Sequence, residues 1–103
     1  MHLYAFVLTD VMVQQVRAAH ILVKTQAEAQ DIYNQIMAGG DFAALARARS
    51  SCPSARQGGD LGWFGRGQMV KPFEDFCFQY NTGDFGMVQT QFGWHVIYIV
   101  GQR

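Results

Sequence analysis

Two histidines and a cysteine stand where chemistry could be done. His20 and His95 each sit inside an apolar run, AAHILV and GWHVIYIV, and Cys52 precedes Pro53 in SSCPS. A thiol beside an imidazole has the parts of a nucleophilic dyad, and with them those of a cysteine hydrolase. Two features oppose that reading. The segment carrying Cys52 reads as the carboxyl end of a helix, whose dipole disfavours a thiolate. The sequence also offers no evident oxyanion device and no third group to orient the base. As metal ligands His20, Cys52 and His95 make three, whereas closed sites usually take four. No metal and no cofactor is expected. Taken singly, a histidine in an apolar strand is more often a hydrogen-bonded core residue than a catalyst, and Cys77, Met12, Met37 and Met87 read as core packing.

The elements that must position these residues follow from periodicity. Val16 to Val23 is a short β-branched run that fits a buried strand and puts His20 and Leu22 on one face. Thr25 with Glu28 makes a capping box, and Ala29, Ile32, Tyr33 and Ile36 follow at helical spacing until Gly39 and Gly40. Asp41 caps a second helix with Phe42, Leu45 and Ala46 on one side, running toward Ser50 and delivering Cys52 at its end before Pro53. SARQGGDLGWFGRG, 54 to 67, reads as a loop, a short strand and a turn; its glycines fix turns rather than cradle phosphate, because no P-loop ending follows. Pro72 opens a third helix with Phe73, Phe76, Cys77 and Tyr80 on one stripe. A short strand near Met87 to Gln91, a tight turn at Phe92 and Gly93, and a strong strand from Trp94 to Val100 complete the chain, with His95, Ile97 and Ile99 sharing a face. Strand, helix, helix, strand, helix, strand, strand is the order of an α+β domain with an antiparallel sheet covered by helices.

Composition bounds what such a domain can do. At 103 residues, half of them hydrophobic, the chain supports one core. Eight basic and eight acidic side chains cancel, so no global field draws in nucleic acid or anionic lipid, and neither partner is expected. Cys52 and Cys77 lie outside any CxxC spacing, which argues against a disulfide framework and for a reducing compartment. The first residues, MHLYAFVLTDVMV, carry no basic n-region and are broken by Asp10, so neither a signal peptide nor a membrane span is read there. A cytoplasmic monomer is the simplest expectation. The alternative is a periplasmic setting, should residues 1–15 stand in for a larger upstream region.

Four segments in order, AHILVK at 19–24, SSCPSARQGGDLGWFGRGQMVKPFED at 50–75, TGDFG at 82–86 and TQFGWHVI at 90–97, resemble the parvulin family of peptidyl-prolyl cis/trans isomerases. The long gapless pattern from Gly58 to Glu74 carries most of the specificity. The resemblance implies the parvulin (FKBP-like) fold, a four-stranded antiparallel sheet surrounded by three to four helices, over residues 16–103, with 1–15 as an extension of unknown role. It implies that His20 and His95 are the family's histidine pair and Cys52 its pocket cysteine. By the same resemblance Met69 and Phe73 form a proline-binding floor with Leu61 and Phe92 as walls, and Gln68 and Thr90 are further polar positions of the site.

The activity implied is acceleration of X-Pro bond rotation in peptides and unfolded polypeptides. Amide rotation has a barrier of about 18–20 kcal/mol and breaks no bond. In the twisted state conjugation is lost and charge separation falls, so an apolar pocket favours it. On this reading the two histidines satisfy each other and pass order to Thr90 and Cys52, with covalent attack by Cys52 the lesser possibility. The link between the first strand and first helix is only Lys24 and Thr25, too little for an arginine clamp on phosphate, so no phospho-requirement is expected. A competing reading is a peptide-binding chaperone module that uses the groove without turnover.

Overall fold

The computed structural model describes residues 13–103. Its elements are β1 (Gln15–Val23), α1 (Gln26–Met37), α2 (Phe42–Arg49), a 3-10 turn (Pro53–Gln57), β2 (Asp60–Gly65), α3 (Lys71–Gln79), β3 (Phe85–Thr90) and β4 (Gly93–Gln102). The strands form one antiparallel sheet in the order β2-β1-β4-β3. This is the α+β architecture expected from the element order, with three α-helices. Most of the extension expected over 1–15, Met12 included, lies outside the described residues; β1 begins at Gln15, one residue earlier than periodicity placed it.

The two central strands are apolar on both faces, and alternation divides their side chains between two cores. Ile21, Val23 and Val96 point to one side, where α1 and α2 cover them with Ala29, Ile32, Ile36 and Ala46. Val16, Ala18, Ile97 and Ile99 point to the other, meeting Phe64 of β2 and Phe73 and Cys77 of α3. His20, Leu22 and His95 continue this second face toward the sheet's other end, where it opens.

Local chemistry sets the boundaries. Thr25 Oγ1 accepts from the Glu28 amide at 3.2 Å, the N-cap half of the expected capping box, and the Glu28 carboxylate turns back to accept from the Thr25 hydroxyl at 3.0 Å. Asp41 caps α2 by accepting from the Ala43 amide at 3.1 Å. Met37 departs from its expected place in the core: it sits on the last turn of α1, just before the chain leaves the helix, and is half exposed. β4 runs two residues beyond Val100 because Gly101 and Gln102 pair with Arg17 and Val16. Among the described residues, no helix is long and apolar enough to cross a membrane.

Candidate active site

Where the second core opens, a cavity of about 510 Å³ lies between the sheet, α3 and the segment 51–53. His20 and Leu22 reach it from β1, His95 from β4 and Leu61 from β2. Phe73 rises from the first turn of α3, Gln68, Met69 and Val70 come from the loop before it, and Phe92 from the turn between β3 and β4. Ser51, Cys52 and Pro53 close the remaining side. The lining is largely apolar, and Phe92, 61% exposed, stands free at the rim.

His20 and His95 are not directly opposite one another. The register pairs Leu22 with His95 and His20 with Ile97, so the imidazoles are diagonal neighbours on one face, within reach of long side chains. Their Nδ1 atoms lie 2.8 Å apart, and His95 Nε2 lies 2.7 Å from Thr90 Oγ1. One Nδ1 must therefore donate and the other accept. If His20 donates, His95 carries its single ring proton on Nε2 and donates it to Thr90, leaving His20 Nε2 as a bare acceptor. If His95 donates, His20 carries a buried N–H with no partner. An orphaned donor costs more than an orphaned acceptor, and among the described residues His20 Nε2 has no partner. The first arrangement is favoured.

Both rings are neutral. Burial, assisted by repulsion from His95, pushes His20 down to about 4; burial also lowers His95. Phe73 presents its ring edge-on to both imidazoles, with centroids 5.5 Å from His20 and 5.4 Å from His95, and itself packs on Phe64 at 6.0 Å. Thr90 Oγ1 also accepts from the Phe92 amide at 3.1 Å, so one hydroxyl joins the imidazole pair to the turn carrying the exposed rim residue.

The placement of Cys52 corrects the expectation from sequence. α2 ends at Arg49, and Ser50 already has extended angles. The chain then runs beside β1: the Ser51 amide donates to Leu22 O at 2.9 Å, and Ser50 Oγ accepts from the amides of Leu22 and Cys52 at 3.0 and 3.3 Å. Pro53, which disfavours helix at the residue before it, makes Cys52 the residue leading into the 3-10 turn. Cys52 is therefore not at a helix carboxyl end. What opposes a nucleophilic role is the absence of a base: among the described residues Cys52 Sγ has Ser54 Oγ at 3.2 Å as its hydrogen-bond partner, and neither imidazole bonds to it. The expected passage of order from the histidines reaches Thr90 but not Cys52. Cys77 is fully buried, with burial pushing its thiol up to about 12, as suits packing.

Of the nine residues singled out from sequence, His20, Cys52, Leu61, Gln68, Met69, Phe73, Phe92 and His95 converge on the cavity. Thr90 stands behind it, bonded to His95. Leu22, Ser51, Pro53 and Val70 also line it and were not singled out. For Leu22 a signal existed, since strand alternation puts it on the face of His20; for the others it lay only in adjacency to Cys52 and Met69. Two glycines hold the arrangement open. Gly59 has φ +86°, and a Cβ there would lie 2.4 Å from His20 O; Gly93 has φ +135°, and its Cβ would lie 2.5 Å from Val23 O.

An α+β domain of this topology, with an apolar recess over a neutral histidine pair, has the parvulin architecture. Among solved structures, PrsA from Bacillus anthracis superposes with a TM-score of 0.86 at 33% identity, covering 88% of this chain and 43% of that one. The parvulin of Nitrosopumilus maritimus superposes with a TM-score of 0.77 at 38% identity, covering 85% of this chain and 97% of that one. In sequence, foldase protein PrsA of Geobacillus sp. (strain WCH70) is 46% identical over 91 residues, 86% of this chain and 33% of that protein. The PPIC-type PPIase domain family matches residues 1–103. The chain belongs to that family, the PPIC-type or parvulin-type peptidyl-prolyl isomerase domains. It spans about a third of the length of the curated relatives it matches.

Proposed function

We propose that the domain is a peptidyl-prolyl cis/trans isomerase that lowers the X-Pro rotation barrier without covalent chemistry. The observation that carries this is the largely apolar cavity set over two neutral imidazoles, with no base among the described residues bonded to Cys52. A proline ring held by Met69, Phe73 and Leu61 under Phe92 leaves water, and the twisted amide, less polar than the planar one, gains most from such surroundings. Lowering the barrier by about 3–4 kcal/mol gives roughly several hundredfold acceleration. His20, His95 and Thr90 keep the floor's shape by hydrogen bonding among themselves rather than by moving a proton.

Substrates are proline-containing segments of peptides and unfolded chains, with no phosphate required before proline. Thr25 is committed to capping α1, which leaves Lys24 alone in the β1–α1 link, and one ammonium cannot form the bidentate grip that phosphate recognition uses. A protease-coupled isomerisation assay over an X-Pro panel with phosphorylated and plain serine tests both statements. Acceleration within about threefold for the two serine forms supports them; acceleration confined to the phosphorylated form refutes the second, and none at all refutes the first.

The foldase names of the relatives and the one-third coverage favour a second reading, a peptide-binding module within a longer foldase. Such a module competes for substrate peptide without accelerating its exchange, and the same assay separates the two.

A further inference from the structure

The loop from Arg66 to Val70 brings Gln68, Met69 and Val70 to the cavity, yet it is neither helix nor strand. Something must set its height. Gln68 Oε1 accepts from the Gly65 amide at 2.5 Å, which closes the turn on itself. The tie to the rest of the domain comes from Glu74, one helical position after Phe73. Its Oε1 accepts from the Gly67 amide at 2.6 Å, and its Oε2 lies 3.5 Å from Arg66 Nη1. Arg66 in turn lies over the Phe78 ring at 4.3 Å.

Glu74 is an unusual residue in its place. Apart from the two site histidines it is the only polar or charged side chain among the described residues that is buried. A buried carboxylate is costly unless bonded, and here the Gly67 amide, the Arg66 guanidinium and the first turn of α3 supply the compensation. Gly67 makes the geometry possible with φ +87°, angles that other residues rarely adopt. Glu74 thus faces away from the cavity while fastening the loop that forms its floor.

We propose that Glu74 is a positioning residue of the proline pocket, acting through the Gly67 amide on Met69. This rests on the isomerase reading above for its kinetic consequence, but not for its structural one. Met69 touches the proline ring, whose own polarity does not change as the amide twists, while Phe73, held by its helix, goes on shielding the amide from water; releasing the loop therefore raises KM while largely preserving kcat. A variant that merely unfolds part of the population lowers kcat and leaves KM unchanged.

The test compares Glu74→Gln, which keeps an oxygen within reach of the Gly67 amide, with Glu74→Asp, which keeps the charge but withdraws it by one methylene. Steady-state isomerase kinetics on one X-Pro peptide are measured beside the 13C-methyl signal of Met69 in the peptide-free protein, assigned through Met69→Leu. Glu74→Asp is expected to raise KM about tenfold and to displace the Met69 methyl signal. Glu74→Gln should stay within about threefold of the parent with that signal near its original position. Equal behaviour of the two variants, or a KM and methyl signal unmoved in Glu74→Asp, overturns the proposal. If the parent itself shows no turnover, the isomerase reading fails while the methyl signal still decides the role of Glu74.

Discussion

Acid should unfold this domain earlier than its carboxylates alone would dictate, because two histidines are buried neutral. His20 titrates in the folded protein at about 4, against an ordinary 6.5. Its folded value is depressed, so between these limits the unfolded state binds more protons, and the stability from keeping the ring neutral is whole above 6.5 and lost as pH falls. For one group shifted from 6.5 to about 4, the loss is about 2 kcal/mol at pH 5 and about 3 kcal/mol at pH 4. His95 is shifted in the same direction and adds to it. Against a typical total of about 5–15 kcal/mol these are large fractions. Urea unfolding at pH 7.5 and pH 5.0, with a common m-value, should show the difference as a lowered midpoint. In parallel, the His20 ring signals of the folded protein should not titrate above about pH 5. Equal midpoints at the two pH values, or a His20 titration centred near 6.5, would falsify the assignment of a buried, neutral imidazole pair.

Phe73→Ala, at a site 2% exposed and packed on both imidazoles and Phe64, should cost about 3–5 kcal/mol of stability and most of the isomerase activity; calorimetry and kinetics that stayed near the parent would contradict the pocket assignment. Gly59→Ala adds a methyl 2.4 Å from His20 O at a positive φ, and should destabilise by at least about 2 kcal/mol while shifting the His20 ring signals. Cys52→Ala removes a thiol whose hydrogen-bond partner is the Ser54 hydroxyl and not a base; kcat/KM should fall by less than about fivefold, and a loss of a thousandfold would restore the nucleophile. Thr90→Val withdraws the acceptor of the Phe92 amide and the partner of His95 Nε2, costing about 1–3 kcal/mol for the groups left unpaired, readable in urea melts.

What the sequence could show of this protein was whatever depends on near neighbours. The capping box at Thr25, the N-cap at Asp41, the strand alternation that puts Leu22 beside His20 and the stripe of Phe73, Phe76 and Cys77 all report on local geometry, and the elements follow from them within one or two residues. Cys52 lies beyond what periodicity can place because its position depends on a distant partner: Ser50 and Ser51 bond to Leu22, a tie no local pattern announces. The place of Glu74 likewise depends on a segment outside its own helix. In an amphipathic helix a glutamate reads as solvated, and only the fold of the loop over it makes it buried. The resemblance supplied the histidine pair as a pair, but not which nitrogens meet, since that depends on the diagonal register of β1 and β4.

That register bears on the chemistry. A general acid or base works best with an ionisation near the operating pH, and a histidine on a solvated loop would have one. These two are instead fixed on the central strands, against the core, where burial holds them neutral. On the proposed mechanism, protonating either would place a charge beneath an apolar cavity and favour the more polar planar amide over the twisted one, so the burial expected to make the domain acid-labile would also protect the pocket's low polarity. The hydrogen-bonded line from His20 through His95 and Thr90 to the Phe92 amide then has a structural task, tying the floor of the pocket to its rim without introducing a charge.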